Sequence, residues 1–162
     1  QIIQIRKEKE ALGHHLSDCL PFYFGPRSPM LYVIQHGYNG VSKVKPENIV
    51  YCVVRIDDII KNNIDCIFTD GHALSTLTNY YDKDELANLD SIVKYEDVYS
   101  AFWNDENDID LKRRKEAELL INDDLPIQYI RGLVVYNNRA KAQLVGIGVA
   151  AELVVVKPGY YF

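Results

Sequence analysis

Short blocks of apolar residues separated by polar clusters run along the chain, and they predict more strands than helices. Strands are predicted over residues 18–24, 49–55, 66–69, 119–121, 133–136 and 153–156. Helices are predicted over residues 29–36, 57–63, 95–102 and 139–151, a polar helix or partly ordered arm over 1–15, and helical spacing mixed with tyrosines over 74–89. Because strands and helices do not alternate regularly, the pattern predicts an α+β fold, with packed β-sheets and peripheral helices, rather than a doubly wound sheet.

The clearest local signal marks a short helix after an aromatic block. Ser28 can cap the helix with its side chain, Pro29 suits its first turn, and Gly37 supplies its stop. The helix between these signals would carry Met30 toward the surface that Tyr23 faces.

A second aromatic group has two interpretations. Tyr95, Tyr99 and Phe102 recur at helical spacing, which predicts one helix face packed into the core. Trp103 lies off that stripe and adjoins the polar loop 104–110, so it either packs in the same way or stacks on a nucleic-acid base.

The composition is that of an ordinary globular chain. With 162 residues, 48% hydrophobic and 25% charged, it fits one domain with a core of its own. No apolar run reaches the roughly 18 residues that a membrane span needs, and no signal peptide is visible. The chain begins at Gln1 without a methionine, so we expect that an N-terminal segment is missing.

The three cysteines are odd in number, far apart and set in apolar contexts. Cys19, Cys52 and Cys66 are therefore predicted to be buried free thiols in a reducing compartment, the cytoplasm. No metal site is expected, because His14 and His15 lie near Cys19 without CxxC or HExxH spacing.

Charge is distributed unevenly along the chain. The net charge of −5 argues against a protein that coats DNA, since counterion release rewards clustered cations. Acidic residues crowd positions 82–110, whereas 112–115 is a run of four cations beside Glu118. Lys112, Arg113 and Arg114 therefore either form a solvated loop or contact phosphates.

Two further residues stand where chemistry is possible. Glu118 begins an apolar strand, so it is either a solvated strand start or a site residue, because a buried carboxylate needs a partner. His72 follows Gly71 in a predicted turn that permits a close backbone approach, and it is either structural or lines a site.

Several blocks occur in an order that resembles the DarT family of DNA ADP-ribosyltransferase toxins. They are PFYFGPRSPMLY at 21–32, IVY at 49–51, FTDGHA at 68–73, AE at 117–118 and PGYY at 158–161. The resemblance implies one ADP-ribosyltransferase domain over residues 1–162 that lacks its N-terminal segment. It also implies transfer of ADP-ribose from NAD, the co-substrate, to thymine in single-stranded DNA, reversed by a macrodomain antitoxin partner.

The resemblance also implies roles for particular residues. Glu118 is the expected catalytic glutamate, Arg6 the arginine that contacts NAD, and Tyr23 and Met30 line the NAD site. His72, Trp103, Lys112, Arg113 and Arg114 are the candidate DNA contacts.

Two departures from the family keep alternatives open. Ahead of Arg6 the chain has no His-x-Thr or His-x-Ser motif, which leaves open a catalytically silent NAD- or DNA-binding module. Glu116 occupies the position two before Glu118, where glutamine is expected. Since Glu-x-Glu resembles arginine-modifying relatives, a protein-directed mono-ADP-ribosyltransferase is the second alternative.

Overall fold

The computed structural model describes residues 2–162. Its α-helices are α1 (Ile2–Glu8), α2 (Pro29–His36), α3 (Ile56–Lys61), α4 (Leu89–Ile92), α5 (Tyr95–Val98), α6 (Leu111–Lys115) and α7 (Asn138–Gly146). Its β-strands are β1 (Glu10–Ala11), β2 (His14–His15), β3 (Cys19–Tyr23), β4 (Tyr51–Val53), β5 (Cys66–Thr69), β6 (Tyr80–Asp82), β7 (Glu118–Asn122), β8 (Gly132–Val135) and β9 (Val154–Val156). Within residues 2–162, no helix has the length and apolar character to cross a membrane.

The chain divides into two compact units. The first runs up to Pro26 and continues over Ile56–Leu125, and the second comprises Arg27–Arg55 and Pro126–Phe162. Each unit has a β-sheet of its own, in the order β3-β7-β5-β6 in the first and β4-β8-β9 in the second.

The sheet of the first unit is antiparallel throughout. Strand β7 lies between β3 and β5, so its backbone is paired on both sides. Its side chains alternate between two apolar layers, because successive residues of a strand point to opposite faces. Leu119 and Ile121 pack with Phe68 in one layer. Leu120 packs with Ile67 in the other, and Glu118 points to that same face by the period of two.

In the second unit, β4 pairs antiparallel with β8, and β8 pairs parallel with β9 through the connection that contains α7. Val135, Ala140 and Val154 form its buried core.

Helix α2 spans the predicted residues 29–36. Ser28 caps it through a hydrogen bond from the Leu31 N–H, and it ends at Gly37 in the left-handed conformation. The local sequence prediction of this helix is confirmed.

Three predicted elements are wrong. Residues 74–89 are not one helix but contain β6 and the 3₁₀ helix Lys83–Asn88. The stripe 95–102 does not form one helix face, because α5 ends at Val98 and Tyr95 and Phe102 remain 68% and 82% exposed. Tyr95 stacks on Tyr99 instead of entering the core.

The third prediction, a polar helix or arm over 1–15, is wrong after Glu8, where α1 ends and a β1–β2 hairpin follows. Leu12 and Gly13 turn that hairpin with positive φ angles, which the helical prediction for 1–15 did not anticipate. The cysteine prediction is correct for Cys19 and Cys66, which are buried free thiols, whereas Cys52 is exposed.

Candidate active site

Glu118 is completely buried at the first position of β7, with hydrogen-bond donors around both carboxylate oxygens. The backbone N–H of Ala73 lies 3.0 Å from Oε1, and Nδ1 of His72 lies 3.3 Å from the same atom. Nη2 of Arg6 contacts Oε2 in a salt bridge. Three donors from two separate segments therefore converge on one carboxylate, which offsets the cost of its burial.

These contacts set the charge of Glu118. Burial by itself would raise the pKa of this carboxyl. The hydrogen bond from His72 and the charge of Arg6 outweigh burial, and the Ala73 N–H adds to them, so the pKa lies below its ordinary value. In turn, the hydrogen bond to Glu118 raises the pKa of His72 against the opposing effect of burial. The site is built around a carboxylate that stays ionised although it is buried.

Arg6 has spare hydrogen-bonding capacity beside this carboxylate. Its Nη2 is engaged by Glu118, but Nη1 is buried and has no hydrogen-bond partner among residues 2–162. A buried guanidinium N–H without an acceptor is costly, and a ligand oxygen would satisfy it. The geometry therefore fits a group that supplies a carbonyl or phosphate oxygen next to Glu118.

The backbone of Glu118 is fixed by a residue that the sequence analysis missed. Thr69, fully buried at the end of β5, accepts the Glu118 N–H at 2.9 Å through its hydroxyl oxygen. The same hydroxyl donates to the Gly71 carbonyl at 2.7 Å. Thr69 thus ties the start of β7 to the segment that carries His72 and Ala73, and its place in the FTDGHA block is the one sequence signal that could have found it.

We call residues 70–79 the donor loop, because it presents the His72 and Ala73 donors. Lys9 Nζ donates to the Ala73 carbonyl at 2.7 Å, and the Tyr80 hydroxyl donates to the same oxygen. Burial lowers the pKa of Lys9, although the charge of Glu118 opposes that shift. Burial is also the main cause that raises the pKa of Tyr80 to about 12. The Ala73 segment is thus held on its carbonyl side as well as its N–H side.

Tyr23 is the predicted site residue that pairs with Glu118 across the sheet, as the last residue of β3. Burial and then the neighbouring charge of Glu118 raise the pKa of Tyr23 far above its ordinary value. Its phenol therefore stays protonated and can act as a neutral aromatic surface or a donor.

Glu116 behaves differently from Glu118, although only one residue separates them. It is buried at the end of α6, and burial raises its pKa despite the opposing charges of His72 and Lys112. Two carboxyls with opposite pKa shifts can hold different protonation states, so their roles need not be equivalent.

None of the other predicted residues has a hydrogen bond to this carboxylate among the contacts described above. Met30 is half exposed in the first turn of α2, in the second unit. Trp103 is partly buried in the irregular segment before α6, and Lys112 is exposed on α6. Arg113 and Arg114 lie on the same helix but are held by carboxylates of the chain, which favours a structural role for both. Across residues 2–162, no group of three or more His, Cys, Asp or Glu could hold a metal ion.

Known proteins resemble this chain over most of its length. A DNA ADP-ribosyl transferase from Escherichia coli O127:H6 is 35% identical over 132 residues, which are 82% of this chain and 60% of that protein. A Thermosipho africanus relative, named a DNA ADP-ribosyl transferase-DNA ADP-ribosyl glycohydrolase fusion protein, is 30% identical over 122 residues, or 75% of this chain and 29% of that protein. The chain thus spans less than two thirds of the length of these curated relatives.

Solved structures match almost the whole of this chain. Thermus sp. 2.9 DarT in complex with ADP-ribosylated ssDNA matches with a TM-score of 0.82 and 28% identity, over 99% of this chain and 78% of that chain. The same protein in complex with NAD+ matches with a TM-score of 0.79 and 28% identity, over 98% and 81%. The predicted α+β, ADP-ribosyltransferase-like fold is confirmed.

A family model agrees with both comparisons. It is described as "ssDNA thymidine ADP-ribosyltransferase, DarT", and it matches residues 1–162. The chain belongs to the DarT family.

Proposed function

We propose that the protein transfers ADP-ribose from NAD to thymine bases of single-stranded DNA, with Glu118 as its catalytic residue. The observation that carries this proposal is the buried, ionised Glu118, held by Arg6, His72 and the Ala73 N–H. The Thermus relative, solved with NAD+ and with ADP-ribosylated ssDNA, supports the choice of co-substrate and acceptor.

Breaking the bond between nicotinamide and ribose builds positive charge on the sugar, as glycoside hydrolysis does. A carboxylate fixed in a dry site stabilises such charge far better than one in water, because its donors are already in place. Glu118 would face the sugar and also accept a hydrogen bond from a ribose hydroxyl. Its lowered pKa keeps it in the charged form that this role needs.

Arg6 would orient NAD and stabilise its charge. A guanidinium is planar and always protonated, so it suits a diphosphate or a polarised carbonyl but is a poor general base. The unpartnered Nη1 provides the donor for such an oxygen. Tyr23, protonated and opposite Glu118, would stack on the nicotinamide.

Thymine in a single strand is the acceptor that this chemistry favours. A ring nitrogen used in base pairing cannot attack while it is paired, so an unpaired base avoids an unpairing cost of a few kcal/mol. His72 lies at the carboxylate, and we propose that it contacts the DNA together with Trp103 and the exposed Lys112.

We also propose that the protein is the toxin of a toxin–antitoxin pair. The Thermosipho africanus relative is named as a fusion of a DNA ADP-ribosyl transferase with a DNA ADP-ribosyl glycohydrolase. A partner that removes ADP-ribose from DNA would make the modification reversible, and a macrodomain antitoxin has the matching activity. The partner would be a separate protein or a further part of the same polypeptide.

Mass spectrometry of a thymine-containing single-stranded oligonucleotide, incubated with the full-length protein and NAD, tests the main proposal. We expect a mass increase of one ADP-ribose on the oligonucleotide and none on a thymine-free control. An unmodified oligonucleotide together with consumed NAD would contradict DNA transfer, and unconsumed NAD would favour the silent binding module.

The second candidate function is ADP-ribosylation of protein arginines. It is favoured by Glu116, a buried carboxyl with a raised pKa two residues before Glu118. The same reaction with labelled NAD and a mixture of protein acceptors separates the two activities, because the label would then appear on protein and not on the oligonucleotide.

A further inference from the structure

Arg113 makes more contacts with the donor loop and its surroundings than a surface cation needs. Its Nε and Nη2 donate to the two carboxylate oxygens of Asp110 at 2.7 and 2.8 Å. Its Nη1 donates to Asp70 Oδ1 at 2.8 Å and to Thr78 Oγ1 at 3.4 Å. One guanidinium therefore joins α6 to the first residue of the donor loop and to a residue near its end.

The backbone of Arg113 contacts the same loop. Its carbonyl accepts the His72 N–H at 2.9 Å. Gly71 packs so closely that a Cβ there would lie 2.4 Å from Arg113 Nη1 and 2.9 Å from its carbonyl oxygen. Glycine is therefore required at this position to let the loop close on Arg113.

The donor loop is also closed upon itself, so that a constraint on one end reaches the other. Asp70 accepts hydrogen bonds from the backbone and side chain of Asn79, at 3.0 and 2.8 Å. The Thr78 hydroxyl donates to the His72 carbonyl at 2.8 Å. His72 is consequently fixed through its N–H by Arg113 and through its carbonyl by Thr78, which Arg113 also contacts.

We propose that Arg113 is a positioning residue, which holds the donor loop so that His72 and the Ala73 N–H meet Glu118. The inference rests on the proposed function, because it assigns a catalytic use to the carboxylate that these donors surround. It replaces the phosphate contact predicted for Arg113.

The burial of the Arg113 guanidinium and its existing hydrogen bonds disfavour a phosphate contact. Arg113 is only 15% exposed, and all three of its nitrogens already donate to oxygens of the chain. The hydrogen bond to Asp110 is the largest influence that raises its pKa, with Asp70 contributing as well. Binding a phosphate would require breaking charge-assisted bonds that hold the loop.

The test compares Arg113→Gln with wild type in the full-length protein, measuring kcat and KM for transfer to a thymine oligonucleotide. We expect kcat to fall by about 10²-fold, the scale of a misplacement of about 1 Å, with little change in KM for DNA. The salt dependence of DNA binding should keep its slope. Arg139→Gln is the matched control, because it removes the same charge from an exposed position of α7 and should leave kcat unchanged.

A double-mutant cycle with His72→Gln separates positioning from general loss of structure. If Arg113 acts through the loop, the kcat loss from Arg113→Gln should shrink markedly in the His72→Gln background. Additive losses would overturn the inference, as would wild-type kcat combined with a flatter salt slope.

Arg113→Lys keeps the test decisive if Arg113→Gln does not fold, because lysine retains the charge but lacks the fork that joins Asp70 to Asp110. An intermediate kcat would support the inference, and wild-type kcat would overturn it. If the wild-type protein itself transfers no ADP-ribose to DNA, that result contradicts the proposed function, and the inference that rests on it is then wrong as well.

Discussion

Tyr23 and Glu118 are directly opposite each other in the antiparallel pair formed by β3 and β7. Residues that face each other in this way share one side of the sheet, so the aromatic ring lies beside the carboxylate. The pairing brings Tyr23 of the PFYFGPRSPMLY block next to the strand that begins with Glu118. It makes one site from two sequence blocks that lie far apart in the chain.

Thr69→Val should destabilise the protein, because it removes the acceptor of the buried Glu118 N–H while keeping the side-chain shape. A buried donor left without a partner costs about 1–3 kcal/mol in the free energy of unfolding. Urea denaturation followed by circular dichroism measures this change. Thr69→Ser, which keeps the hydroxyl, is the control and should retain most of the stability. Equal stability of the two variants would contradict the role given to the hydroxyl.

The acid limb of the activity profile should depend on His72. Glu118, the proposed catalytic residue, has a folded pKa below its ordinary value, so its carboxylate stays charged as the pH falls until that lowered pKa is reached. His72→Ala removes a hydrogen bond that lowers this pKa, and the acid limb should then move to higher pH. The pH profile of kcat for both proteins measures the shift. A limb that stays in place or moves to lower pH would contradict the assignment of Glu118.

The contribution of Glu118 to the free energy of unfolding should also depend on pH through its lowered pKa. Because its folded pKa is depressed, the contribution is present above the unfolded pKa and is lost as the pH falls through the folded pKa. For His72, whose folded pKa is raised, the contribution is present below the unfolded pKa and is lost as the pH rises through the folded one. The difference in urea stability between wild type and His72→Ala should therefore shrink as the pH rises through the raised pKa of His72.

One of the three thiols should react fast in the native protein. Cys19 and Cys66 are buried, and burial raises the pKa of Cys66 to about 11, so little thiolate forms there. Cys52 is exposed and should react with a thiol reagent faster than either buried thiol. Titration of native and unfolded protein counts the fast and the total thiols. Cys52→Ser should abolish the fast phase, and a remaining fast phase would contradict the burial of the other two.

The parts of the fold that the sequence predicts are those with local causes. Helix α2 is specified by a capping serine, a first-turn proline and a terminating glycine, all within ten positions. Strand β5 has the same bounds as the strand predicted over residues 66–69, and all four of its residues are buried. The aromatic stripe fails because its spacing matches a helix that ends at Val98, and periodicity cannot reveal where a helix stops.

The site depends on contacts that no local pattern contains. Glu118 and His72 are predictable as candidates, because a charged residue at an apolar strand and a histidine after a turn glycine are unusual. Thr69 and Lys9 are not predictable in this way. The role of Thr69 arises from its hydrogen bond with the Glu118 N–H, and that of Lys9 from its hydrogen bond to the Ala73 carbonyl, and both partners are far away in the chain. Arg113 and Arg114 look like a phosphate cluster in sequence, although the fold pairs them with Asp70 and Asp97, which lie far from them along the chain.

Lys112 and Arg114 should differ in their effect on DNA binding. Lys112 is exposed, and if it contacts a phosphate then Lys112→Ala should flatten the salt dependence of single-strand binding by roughly 0.7 log units. Arg114 bridges Asp97 and Asp108 at 2.6 Å each, so Arg114→Ala should leave the slope unchanged and lower stability by about 1–3 kcal/mol. Binding titrations at several salt concentrations measure the slopes. Equal slopes for wild type and Lys112→Ala would return Lys112 to a solvated surface role.

Glu118→Gln and Glu116→Gln form a matched pair that separates the two proposed enzyme activities. Each change removes one buried carboxyl with almost no change in shape, and the positions differ by only two residues. Glu118→Gln should lower turnover by at least about a hundredfold, the scale expected when a preorganised charge is lost from a site. Glu116→Gln should leave transfer to DNA largely intact, because burial raises its pKa and disfavours the charged form.

The measurement incubates each full-length variant with labelled NAD. Parallel reactions contain thymine-containing single strands, duplex DNA or protein acceptors. The label should mark the single strands and spare the other two, and circular dichroism should show both variants folded. Near-normal turnover in Glu118→Gln would rule out its catalytic assignment. Label on protein alone, lost in Glu116→Gln, would instead establish the arginine-directed activity, because the acceptor would then depend on the carboxyl that DNA transfer does not need.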